Sequence, residues 1–161
     1  MKSPAQYRPA VAVLVGGGLA ATLDILYAFY RNGISTANPL RVLQSVASGW
    51  LGKDAFTNGV AAAMLGLASH YVILLIAAGI YMITTHRLVP MQKEPLLCGG
   101  FFGALVYLFM NFVVVPFSAV PFHLNYTTIR IIEGFVSHAL LVGLPIAWAV
   151  KRWALVRPIS V

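Results

Sequence analysis

Four stretches of the chain, residues 9–30, 59–85, 96–115 and 128–150, each run for at least 20 residues and hold three charged side chains between them. A helix rises about 1.5 Å per residue, so roughly 20 apolar residues cross the hydrocarbon of a bilayer. Inside lipid the backbone must satisfy its own hydrogen bonds, which a helix does within one segment. The sequence therefore predicts an all-α integral membrane protein, a four-helix bundle in a single membrane domain over residues 1–161. Composition agrees. Charged residues make up 9% of the chain and hydrophobic residues 60%, whereas a soluble domain carries about 25% charged residues. The net charge of +7 does not imply nucleic acid, because Lys and Arg cluster at the edges of the apolar runs, as membrane flanks do. The lone cysteine, Cys98, rules out an internal disulfide and reads as a small packing residue.

The first run has one competing reading, a cleaved signal peptide with Lys2 and Arg8 as its basic region. The apolar run continues past Asp24 through Ile25, Leu26 and Tyr27, which favours a span. Between the first two spans, Asn38-Pro39 reads as a helix start, with Asn as cap and Pro at the first position. Pro39, Leu43, Val46, Ala47, Trp50 and Leu51 share one helix face, and Arg41, Gln44, Ser45 and Ser48 fall mostly on the other. Gly52 is a stop signal. This pattern predicts a short amphipathic surface helix over about 39–51, with Trp50 at headgroup level; a plain loop is the alternative. A polar turn is expected at 90–95. In the last span, Arg130 is expected to pair with Glu133 three residues on, and Pro145 to disturb the helix.

Four spans place both termini and the 85–95 turn on one side. That side holds Lys2, Arg8, Arg87, Lys93, Lys151, Arg152 and Arg157; the other holds Arg31, Arg41, Lys53 and Arg130. The positive-inside rule then puts both termini in the cytoplasm.

Two apolar runs contain the same element, Gly66-Leu67-Ala68-Ser69-His70 and Gly134-Phe135-Val136-Ser137-His138, 68 positions apart. With Gly17-Gly18 and Gly99-Gly100 in the preceding spans, this suggests a parallel repeat of two spans per half, against a chance match. Because positions four apart share a helix face, each imidazole is expected to have open space one turn below it.

An ionisable group in hydrocarbon costs roughly 2.5–3.5 kcal/mol on insertion scales, so it should face protein or water. Asp24, His70, Asn111 and His138 each share a helix face with small residues. Counted along the helix at ~1.5 Å per residue, they lie about 7–16 Å from one membrane face. They are expected to form one inward polar cluster, with Tyr107 within a turn. Three functions fit. One is a small transport, ligand-binding or accessory module, in which a histidine beside a carboxylate exchanges protons. Another is an electron carrier with haem b held between His70 and His138. The last is a purely structural or interaction subunit, its polar groups holding helices together. Asp24 and both histidines would give zinc only three ligands, with no spaced pair such as H-x-x-x-H. No nucleophile elbow, phosphate-binding loop or C-x-x-C occurs, which points away from an enzyme. Gly16-Gly17-Gly18 reads as a packing face rather than a dinucleotide loop. His86 and His123 are expected outside the spans, in water. The partners expected are the bilayer and a second copy or another membrane protein, with no nucleic acid.

The stretches LQSVASGWLGKDAF at 43–56, GLASH at 66–70 and NFVVVPFS at 111–118 together resemble small bacterial inner-membrane proteins with four spans and no assigned activity. The resemblance covers residues from about 20 to 149. It implies the topology and a bacterial inner-membrane location, and adds nothing to the chemistry.

Overall fold

The computed structural model describes residues 7–33, 38–122 and 127–155. Expectations resting on Lys2, His123 and Arg157 lie outside them. Helix α1 runs Pro9–Gly33, α2 Pro39–Leu51, α3 Gly59–Arg87, α4 Val89–Lys93 and α5 Pro95–Phe109. The last span is α6 (Thr128–Ser137) and α7 (Leu144–Trp153) joined without a break. Among the described residues there are four helices long and apolar enough to cross a membrane: Pro9–Arg31, Gly59–Arg87, Pro95–Val114 and Thr128–Trp153. The protein is a multi-pass membrane protein.

Its core is built of small side chains. Ala12, Ala20, Ala21, Ala78 and Ala147 are fully buried, with Tyr81 among the few large ones. Leu14, Leu26, Ile76, Phe101 and Leu140 point outward. Lipid is as apolar as leucine, so helices associate through close backbone approach rather than by burying bulk. Glycines mark the closest approaches. A Cβ on Gly17 would overlap Leu75 of the second span, and one on Gly16 would press on Ala149 of the fourth. Gly99 and Gly103, a G-x-x-x-G pair, meet Gly143 and the His138 carbonyl. The glycine run at 16–18 is thus a packing face.

The first span packs on both the second and the fourth, and the fourth packs on the third. Spans two and three scarcely touch. They meet near the 88–95 connection, where the Tyr81 hydroxyl donates to the Pro95 carbonyl and the Tyr81 ring packs on Phe102. Arg8 N donates to the Trp153 carbonyl at 2.8 Å, and the Tyr7 hydroxyl contacts His86 Nε2 at 3.4 Å. Those contacts gather the start of span one, the end of span two and the end of span four on one side. At the opposite end Arg31 pairs with Glu133.

Three details depart from the sequence reading. The expected 90–95 turn is largely the short helix α4. The disturbance from Pro145 takes the form of a π-helical stretch, His138–Gly143, immediately before α7. A second π stretch, Met110–Val114, ends the third span. Wide π turns leave room where the regular hydrogen-bond ladder is broken. Proline, which has no N–H to donate, accounts for the first of them.

Helix α2 forms where expected. Asn38 Oδ1 accepts from Leu40 N at 3.0 Å, Pro39 opens the helix, and Gly52 ends it at φ 59°, a left-handed conformation that costs glycine little. Its buried face is the unexpected part. Val42, Gln44, Ala47 and Ser48 are buried against the protein, while Trp50 is 71% exposed.

Candidate functional site

Span one places Asp24 one turn beyond the buried Ala20 and Ala21, on the side facing span four. Span four brings His138 to it, with Nδ1 3.9 Å from Asp24 Oδ1. Both side chains are mostly shielded, at 21% and 16% exposure for the histidine and the aspartate. His138 Nδ1 also lies 3.1 Å from the Gly134 carbonyl. A carbonyl only accepts, so Nδ1 is the donor in this contact. The Tyr107 ring closes the other side of the imidazole, edge to face at 5.2 Å between centroids.

The pair sits in a recess of about 250 Å³ between spans one and four. Tyr27, Arg31, Arg130, Glu133 and Ser137 line the rest of it. Arg31 grips Glu133 Oε2 with two nitrogens, at 2.7 and 3.0 Å, and both side chains are about two-fifths exposed. Glu133 therefore pairs across helices with Arg31, not within its helix with Arg130. The i, i+3 rule identified a possible neighbour, but the chain supplied a better one on the adjacent span. Arg31, Glu133 and Tyr27 are the site residues that the sequence reading missed. The signal was there: opposite charges at the same end of two spans.

His70 takes a different position. It is buried, and its Nε2 donates to the Ala21 carbonyl at 3.0 Å, which ties span two to span one. Next to it, the Tyr71 hydroxyl shares a 2.8 Å hydrogen bond with Thr22 Oγ1 across the same interface. Ala21 lies three residues before Asp24, so His70 abuts the site without lining the recess. Asn111 donates to the Tyr107 carbonyl of its own helix at 2.9 Å and faces a different, larger cavity. Asp24, His138 and Tyr107 thus come together, His70 is adjacent, and Asn111 looks elsewhere.

The expected space beneath each histidine is filled. A Cβ on Gly66 would overlap the Leu43 carbonyl, because α2 crosses span two there. A Cβ on Gly134 would overlap the Tyr107 ring. Each glycine admits a protein neighbour. Among the described residues, Asp24, His70 and His138 do not form a set that could hold a metal ion. His86 closes the second span, exposed, in contact with Tyr7. Cys98 is half-buried against the alanine core.

No protein-family profile matches the chain, and no solved structure matches it. Over 102 residues it is 32% identical to the K(+)-insensitive pyrophosphate-energized proton pump of Pyrobaculum aerophilum. The matched region is 63% of this chain and 14% of the pump, so the chain spans a small part of that protein's length.

Proposed function

We propose that the chain is a four-helix bundle of the bacterial inner membrane, both termini cytoplasmic, that acts as a transport, ligand-binding or accessory module through Asp24 and His138. One observation carries this: a carboxylate and an imidazole 3.9 Å apart within the spans, reached by a polar recess whose rim is the Arg31–Glu133 pair. Holding ionisable groups among apolar helices has a cost that structure alone does not require. Histidine is the side chain whose ordinary titration falls in the physiological range. The recess gives water access to the pair, so protons or a small polar ligand are what it can take up. The partial likeness to a proton pump is in keeping with this. A haem between His70 and His138 gains no support, since His70 Nε2 is engaged by Ala21 and the glycine spaces are filled.

The test is reconstitution in vesicles carrying an internal pH dye, with proton entry driven by a potassium diffusion potential. The intact protein should acidify the vesicles faster than empty ones. Asp24→Asn and His138→Gln should each slow it by on the order of a hundredfold, the usual weight of a positioned proton-transfer group. Flux in the two variants equal to the intact protein's would leave only the structural role. A visible spectrum of the purified protein tests haem directly, through the presence of a Soret band.

A further inference from the structure

A larger cavity than the recess at Asp24 lies elsewhere in the bundle. Spans two and three diverge toward the Arg31 end, and the gap between them encloses about 840 Å³. Helix α2 and the 115–122 segment wall it off, joined where Ala119 N donates to the Gly49 carbonyl at 3.0 Å. Pro116 and Pro121 keep that segment from continuing as a regular helix, so it folds over the gap. Small-molecule sites of about 300–1,000 Å³ are typical, and this one falls in that range. Its walls are mainly aliphatic and aromatic, with Ser45, Ser69, Asn111 and Ser118 as uncharged polar exceptions. Among the described residues, Arg41 is its one charged lining residue and no acidic side chain lines it. Arg41 is exposed, stacks on the Phe56 ring at 5.4 Å, and has no carboxylate within ion-pair distance among the described residues.

We propose that this cavity binds an anionic phospholipid, with its phosphate at Arg41 and an acyl chain inserted between spans two and three. Charge chooses the occupant. An unpaired guanidinium at the mouth of an apolar gap suits a phosphate with a hydrocarbon tail, and arginine is well matched to phosphate oxygens. The polar face of α2 supports the same reading. Packing Gln44 and Ser48 inward holds the helix against span two and keeps Arg41 at the rim.

Trp50 lines the cavity and reports on it. The other two tryptophans, Trp148 and Trp153, lie on the fourth span and are replaced by Phe. The protein is placed in vesicles of zwitterionic phospholipid doped with brominated phosphatidylglycerol or brominated phosphatidylcholine, and Trp50 quenching is followed against mole fraction. The anionic lipid should reach half-quenching at about fivefold lower mole fraction, the weight of one basic side chain near an anionic lipid surface. Arg41→Gln should abolish that preference. Val46→Phe, which narrows the cavity without touching the charge, should weaken quenching by the anionic lipid. Equal quenching by the two lipids in the unsubstituted cavity overturns the proposal, as does a preference that survives Arg41→Gln. Quenching by both lipids that is lost only in Val46→Phe means an apolar chain binds without headgroup recognition, and also overturns it. The headgroup comparison needs no cavity variant, so it stands if either variant fails to fold.

Discussion

The two Gly-x-x-Ser-His elements share a local sequence and do opposite jobs. In the first, every distinctive residue points to another element. Gly66 accepts the backbone of α2, Ser69 accepts the Trp50 indole N–H at 3.1 Å, and His70 donates to Ala21. In the second, the polar residues turn back on their own helix. Ser137 donates to the Gly134 carbonyl at 3.1 Å, and His138 bonds the same carbonyl. The second histidine is therefore left beside Asp24 and the recess, at the start of a π stretch. One imidazole bonds a neighbouring span, and the other bonds its own helix beside the recess. The motif sets neither role. What packs against the preceding glycine does: a helix backbone in one case and a tyrosine ring in the other.

The most damaging way to probe this contrast is to fill the glycines. Gly66→Leu should displace α2, because the obstruction is backbone, and should cost more than the ~1–3 kcal/mol usual for overpacking. Gly134→Leu meets a side chain that can rotate and should stay within that range. Thermal melts and monodispersity in detergent compare them, and equal losses would erase the distinction. Next come the histidines themselves. His138→Ala should abolish proton uptake while leaving the melting temperature nearly unchanged. His70→Ala should do the reverse, losing about 0.6–1.7 kcal/mol with the interhelical hydrogen bond. Matching phenotypes would mean the two copies share one task. Glu133→Gln removes the Arg31 pair at the recess mouth. Because the pair is partly exposed, the stability loss should be about 0–1 kcal/mol and should fade in high salt. The smallest effect is Trp50→Phe, which removes only the hydrogen bond to Ser69 and should cost about 0.6 kcal/mol.

Much of the fold was legible. Pro9, Gly59, Pro95 and Thr128 begin helices within a residue of where the apolar runs begin. Asn38 caps α2, and Gly52 ends it. Local chemistry dictates those points. The site was legible in part. Asp24 and His138 do meet, since small residues on their helix faces forced close packing there. Asn111 shares their depth but sits on the other side of its span, because depth along a helix says nothing about which neighbour stands opposite. Glu133 was assigned to the nearer charge in sequence, and the nearer charge in space was Arg31.

What the sequence determined by itself is the number of spans, their limits and the presence of α2, because the scarcity of charge and the reach of a helix leave few other solutions in lipid. What only the tertiary structure decided is which span stands beside which, which face of α2 is buried, and which histidine lies beside the recess. All four spans carry bulky apolar residues outward, so hydrophobicity does not distinguish one neighbour from another. That choice falls to the few places where glycine lets a particular backbone or ring come close.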